Sequence, residues 1–192
     1  FYTRDFGKFR AVVKGGRDGK ARYGSTLEPF SLNEIIVYHR RRGDLHLVTS
    51  AELLERFEPA RRDLVRLGAA SYFVELVDQM TEPGHPNAGV FDLIGEALSF
   101  LCRETDPKHA ARIFEIRLMQ CLGFMPRLAR CVRCGVEESG DTYFSIASGG
   151  IVCARCRKGE GPLIFMSRGA IAFLNEIRTR PFAALGAVAA PE

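Results

Sequence analysis

Apolar positions along this chain come in two rhythms. Up to Thr49 they form short β-branched runs: Phe9-Arg10-Ala11-Val12-Val13, closed by Gly15-Gly16, then Glu34-Ile35-Ile36-Val37-Tyr38 and Asp44-Leu45-His46-Leu47-Val48-Thr49. Runs of this kind, bounded by turn residues, read as strands. The last two flank Arg40-Arg41-Arg42-Gly43 and so predict a hairpin with a basic tip. Short strands with glycine-rich links suit a small barrel. The rhythm changes between Ser50 and Pro59. From Ala60 to Met80 the spacing of Leu64, Leu67, Val74 and Val77 is helical, with Tyr72, Phe73, Leu76 and Met80 widening the stripe, which predicts one long amphipathic helix. A loop over Thr81 to Gly89 leads to a second helix from Val90 to Cys102, with Phe91, Ile94, Leu98 and Leu101 on one face. A third opens at Asp106-Pro107, a cap followed by proline in the first turn. It carries Ala110, Phe114, Leu118, Cys121 and Leu122 on one side and ends at Gly123 and Pro126. A fourth runs from Ser167 to Arg178.

Between the third and fourth helices the pattern belongs to neither rhythm. Cys131-Val132-Arg133-Cys134 and Cys153-Ala154-Arg155-Cys156 are two pairs with two residues inside each and eighteen between them. That spacing is the signature of a structural zinc site. A two-residue gap lets both thiolates of one tight turn reach the same ion, and two such turns complete a tetrahedral shell of four sulfurs. A closed shell leaves no position for water or substrate, so this metal holds a fold together and does no chemistry. Gly135 follows the first pair, where a positive φ is useful. Tyr143 to Ile146 and Ile151-Val152 flank Ser148-Gly149-Gly150 and predict a β-hairpin that returns the second pair to the first. A disulfide framework requires an oxidising compartment, and a redox CxxC requires a thioredoxin-like context; neither is signalled. Cys102 and Cys121 sit alone in helical patterns and are expected as small core residues.

Composition alters this picture only through the placement of charge. The chain has 192 residues, 46% of them apolar, and a net charge of +4, enough for a real core and unremarkable overall. Residues 1–50, however, hold ten Lys/Arg against five Asp/Glu, which accounts for the whole positive excess. Such asymmetry suggests a polyanion-binding module joined to a near-neutral scaffold. Lys8, Arg10, Lys14, Arg17, Lys20 and Arg22 fall close together with Phe9 and Tyr23 interleaved, and Arg40, Arg41 and Arg42 add a basic loop. Cations that track phosphates beside rings that stack bases are what single-strand binding needs. Tyr23 is the expected stacking residue, and Phe9 is expected to be buried in the barrel. The run from Gly15 to Arg22 fails as a phosphate loop, because its glycine spacing is wrong and Ala21 stands where a magnesium-binding hydroxyl belongs. No HExxH or GxSxG motif is present, and His39, His46, His85 and His109 are scattered without ligand spacing. No run reaches the roughly 18 apolar residues of a membrane span. No membrane partner is expected.

Several phrases together resemble the bacterial recombination mediator family RecO, over nearly the whole chain. They are Val13-Lys14-Gly15-Gly16-Arg17, Tyr23-Gly24 and Leu27-Glu28-Pro29-Phe30; then Ala70 to Asp78; then Phe114 to Leu118 with Leu122-Gly123-Phe124-Met125-Pro126; and finally the four cysteines with Gly135 and Gly149-Gly150. The resemblance implies an α+β fold: an N-terminal OB-fold-like small barrel over residues 1–57 with its first strand absent from the chain, then a mainly helical domain over 58–192 with an embedded four-cysteine zinc finger at 131–156. It implies a non-enzymatic DNA repair protein of the bacterial cytoplasm that binds single- and double-stranded DNA and anneals complementary strands. It also implies partnership with RecR and with the single-strand-binding protein SSB, so that RecA loads onto coated strands, and one structural Zn2+ on Cys131, Cys134, Cys153 and Cys156. From the residues alone, three functions stay open: a DNA-binding mediator, an interaction scaffold whose helices do the work, and a zinc enzyme acting on nucleic acid. The closed sulfur shell argues against the last.

Overall fold

A computed structural model describes residues 1–13, 26–38, 45–103, 106–137 and 142–188. The chain forms two compact units, Phe1–Phe114 and Glu115–Glu192. The architecture is α+β: strands and then helices in the first unit, and after them a small sheet followed by a helix in the second.

The first unit opens with a tiny antiparallel pair, β1 (Tyr2–Thr3) and β2 (Gly7–Lys8). A three-stranded sheet follows: β3 (Arg10–Val13), β4 (Ser31–Tyr38) and β5 (Leu45–Arg56), in the order β3-β5-β4. The hairpin expected from the sequence is the antiparallel pair β4/β5, in register from Tyr38 opposite Leu47 to Ser31 opposite Arg56. Both strands run further than their β-branched cores. The tail of β5, Ala51 to Arg56, is written in residues that prefer helix, and cross-strand pairing overrides that preference. Bulges at Leu32/Asn33 and Ile36/Val37 absorb the resulting slips. β3 lies parallel to β5 along its other edge.

Helices α1 (Glu58–Arg62) and α2 (Leu64–Met80) replace the single helix read from periodicity. The break is Asp63, whose backbone is extended and whose carboxylate accepts the Arg66 N–H at 2.8 Å. Aspartate competes for exposed N–H groups in this way and so starts helices better than it continues them. α3 (Ala88–Arg103) and α4 (Pro107–Cys121) follow as expected, with the Asp106 carboxylate accepting the Lys108 N–H at 2.9 Å. The buried stripe of α2 is Ala70, Phe73 and Val77, whereas Leu64 is 81% exposed and Tyr72 and Val74 also face solvent. Residues on both sides of the helix are apolar, so spacing alone does not reveal which side is covered. The core is Phe73 stacked on Phe114, with ring centroids 4.3 Å apart, among Val90, Leu101 and Ile113.

The second unit has a small antiparallel sheet, β6 (Thr142–Ser145), β7 (Gly150–Val152) and β8 (Leu163–Met166), in the order β7-β6-β8. β8 is not predicted by the sequence pattern, because four apolar residues are too few to show a period. α5 (Arg168–Thr179) is capped by Ser167, whose hydroxyl accepts the Ala170 N–H at 3.1 Å. A 3-10 helix, Phe182–Ala187, packs back on α5. The Arg117 guanidinium donates to the carbonyls of Arg178 and Arg180, placing a cation where the end of α5 is negative. Cys102 and Cys121 are half-buried, not fully enclosed. Among the described residues no helix is long and apolar enough to cross a membrane.

Phe73→Ala is expected to lower the unfolding free energy by about 3–5 kcal/mol, and Leu64→Ala to change it by less than about 0.5 kcal/mol. Urea unfolding followed by circular dichroism checks both. Equal losses would mean that the buried side of α2 has been assigned wrongly.

Candidate metal centre and basic sheet

The two cysteine pairs meet because backbone ladders bring them together. The segment from Arg127 to Val132 runs beside β7: Arg127 N–H donates to Gly149 (3.0 Å), Ile151 N–H to Arg127 (2.9 Å) and Val132 N–H to Ile151 (2.9 Å). Val132 lies inside the first pair and Ile151 just before the second, so this ladder sets one pair against the other. The approach is too close for a side chain at Gly150. A Cβ there would lie 2.5 Å from Val132 Cγ1 and 2.6 Å from the Arg127 carbonyl oxygen. Gly149, with φ +64°, makes the hairpin turn, and Gly135, with φ +74°, closes the first knuckle by donating to the Cys131 carbonyl at 2.8 Å.

The sulfurs of Cys131, Cys134, Cys153 and Cys156 all lie within 4.8 Å of one another. A tetrahedron with metal–sulfur bonds of about 2.3 Å has edges of roughly 3.8 Å, and Cys134 Sγ lies 3.8 Å from Cys153 Sγ. A disulfide would need about 2.05 Å. The donor set and its dimensions therefore fit one metal ion. Cys131 and Cys153 are buried with Val152 and are flanked by Val132, Tyr143 and Leu163, while Cys134 is exposed. Burial pushes the Cys131 thiol up, but backbone N–H groups of Cys153, Cys134 and Arg133 outweigh it and bring the thiol down to about 6. Bonding to the Cys153 and Cys134 sulfurs pushes Cys156 up to about 12. Four thiols this close share protons that a cation would displace.

A carboxylate that sequence reading missed stands beside the cluster. The Glu160 side chain is 7% exposed and lies 3.1 Å from Arg133 Nε, inside the first knuckle. It accepts from Ser145 Oγ at 2.7 Å and from Ser148 Oγ at 3.1 Å, at the hairpin turn. The Ser145 bond, then that of Ser148 and the Arg133 charge, hold its carboxyl below the usual range against the opposing effect of burial. Its partners are distant in sequence and no spacing rule connects them.

Of the basic residues proposed to meet DNA, Lys14, Arg17, Lys20, Arg22, Tyr23, Arg40, Arg41 and Arg42 lie outside the described residues. Arg10 is exposed at the start of β3. Lys8 is occupied: its Nζ lies 3.0 Å from the Asp78 carboxylate and donates to the Asp78 carbonyl at 2.5 Å. The Phe9 ring packs on Phe1 and His46, with centroids 5.7 and 5.8 Å away. The aromatic that the sheet presents outward is Tyr38, 64% exposed, which reads in the sequence as an ordinary strand residue.

Strands, helices and, in the second unit, a partly buried four-cysteine cluster whose donor set fits a metal ion define an α+β protein with a candidate metal-binding knuckle pair. The family models sharpen this. Residues 1–57 match the recombination protein O N-terminal model and residues 61–192 the recombination protein O C-terminal model. The chain belongs to the RecO family of DNA repair proteins, whose N-terminal domain is OB-like. Proteins named DNA repair protein RecO are similar to it. One from Alkaliphilus metalliredigens is 35% identical over 81% of this chain and 63% of its own length. One from Pelotomaculum thermopropionicum is 31% identical over 96% of this chain and 71% of its own. A third, from Moorella thermoacetica, is 35% identical over 88% and 63%. The chain thus spans a little under two thirds of the first and third of these relatives.

Glu160→Gln is expected to destabilise the second unit at neutral pH and little in acid. A depressed folded-state pKa adds stability above the ordinary carboxylate range and loses it as pH falls through the folded value. The difference in unfolding free energy between wild type and variant should therefore shrink below that range. A difference constant with pH would show that the Glu160 charge is not what matters.

Proposed function

We propose that the chain works as a non-enzymatic DNA-binding mediator of recombinational repair. In this reading residues 1–57 form the basic DNA-binding domain and residues 58–192 the helical domain. It binds single- and double-stranded DNA, anneals complementary strands and, with RecR, helps RecA load onto single strands coated by SSB. It acts in the bacterial cytoplasm, at the nucleoid. The observation that carries the reading is family membership along the chain, with the N-terminal model falling on the residues where the positive charge is concentrated. Annealing also suits the physics. Basic side chains lower the repulsion between two phosphate backbones, and a surface blind to sequence lets any complementary pair meet. Lys14, Arg17, Lys20, Arg22, Tyr23, Arg40, Arg41 and Arg42, with Arg10, are the proposed contacts; Lys8 supports the fold through Asp78.

The metal in this reading is one structural Zn2+ held by Cys131, Cys134, Cys153 and Cys156. What supports zinc is the donor set: four sulfurs within 4.8 Å of one another, one pair at the 3.8 Å edge of a tetrahedral shell, with none replaced by a weaker ligand. The ion supplies folding free energy and no reaction chemistry.

Fluorescence anisotropy of a labelled single-stranded oligonucleotide across a salt series tests the DNA reading. The expected result is sequence-blind binding, with a log K against log salt slope worth several released ions. Replacing Arg40, Arg41 and Arg42 together by Ala should make that slope shallower by about 2. Absence of binding at low salt would transfer the function to the helical domain as a protein-interaction scaffold.

Cys131→Ser is expected to abolish stoichiometric zinc, measured by elemental analysis, and to lower the melting temperature of the second unit. Zinc loss with unchanged melting would contradict a structural role.

A further inference from the structure

The sheet of the first unit has two unlike faces, and the outward one is built as a platform. Side chains paired across a ladder lie on the same side of a sheet. The registers set Val12 beside Leu47 and Leu47 beside Tyr38, forming one row across all three strands. Arg10 beside Leu45 forms the next row toward one end, and Ile36 beside Ser50 the next toward the other. Every large apolar member of these rows except the central Leu47 is exposed: Val12 39%, Leu45 46%, Ile36 63% and Tyr38 64%. The opposite face holds Ala11, Val13, Ile35, Val37, His46 and Val48, each at least half-buried.

Charge divides the outward face along its length. At the Tyr38 end stands Arg10, exposed at the start of β3. At the other end stand Glu34 and Glu52, facing each other across β4 and β5. A polyanion is attracted to the first end and repelled from the second. A flat ring and apolar neighbours at the cationic end, left uncovered among the described residues, are what an unpaired base needs on one side, while cations take its phosphate on the other.

We propose that Tyr38 is a base-stacking residue for single-stranded nucleic acid, with Val12 and Leu47 flooring the row beside it and Arg10 meeting a phosphate. The assignment rests on the DNA-binding reading above and adds to it where on the sheet the strand lies and which residue grips a base. Duplex bases are already stacked on each other, so this contact favours single strands over double strands.

The test is a set of full-chain variants titrated into labelled single-stranded and duplex oligonucleotides over a salt series, with sedimentation to record mass. Tyr38→Ala should weaken single-strand binding roughly tenfold, leave the salt slope unchanged, and barely alter duplex binding. Tyr38→Phe, which keeps the ring, should bind like wild type. Arg10→Ala should make the single-strand slope shallower by about 0.7. A single strand carrying 5-iodouracil should photocrosslink to Tyr38. Wild-type binding with Tyr38→Ala indistinguishable from it overturns the stacking assignment and leaves the DNA-binding reading standing. Loss of a dimer in Tyr38→Ala without loss of affinity overturns it too, by making this face a contact between copies. Absence of wild-type binding to either oligonucleotide removes both.

Discussion

Four thiols gathered within 4.8 Å are the constraint on which the second unit is built. Thiolates so placed repel one another, and thiols so placed crowd their protons, unless a cation takes the centre. Were the proposed zinc bound, a structural site with four sulfur ligands would supply apparent binding free energy of about 10–16 kcal/mol. That compares with about 5–15 kcal/mol for the whole net stability of an ordinary domain. The protein's own contribution is geometric. Gly150 lets β7 lie against the Arg127–Val132 segment, Gly135 turns the first knuckle, and backbone N–H groups point at the Cys131 sulfur.

Around that cluster the polar links join separate parts of the chain. Glu160 ties the segment after the second knuckle to the hairpin turn through Ser145 and Ser148, and to the first knuckle through Arg133. Arg117 performs a similar task for the last turn of α5. Small sheets of three or four residues per strand bury little apolar surface, so charged contacts such as those of Glu160 take a larger share of their specification.

The first unit is organised by a different principle, the alternation of side chains along strands. One face of the sheet is covered and the other presents Tyr38, Ile36 and Arg10. The register shift between Ile36 and Val37 lets β4 and β5 stay paired along their length. In the helical core of the same unit, Phe73 and Phe114 stack at the centre.

The four-cysteine cluster is legible in the order of residues, because two short gaps at a set spacing predict that the two pairs meet. The third and fourth helices, the β4/β5 pairing and the glycine turns are legible for the same local reason: caps, prolines and alternation act over a few residues. What the residues alone leave open depends on contacts between distant positions. Whether α2 buries Leu64 or Phe73, whether Ala51 to Arg56 is strand or helix, and whether Lys8 faces a phosphate or Asp78 are each decided by which neighbour packs there. Nothing nearby in sequence marks Glu160 as a partner of Arg133, or Tyr38 as the ring left outside. Sequence by itself determined the grouping of the four cysteines, most of the order of strands and helices, and where positive charge concentrates, since those are written in residue type and local spacing. Tertiary structure alone decided which face of each element is covered, because burial is a property of pairs of surfaces and no single surface carries it.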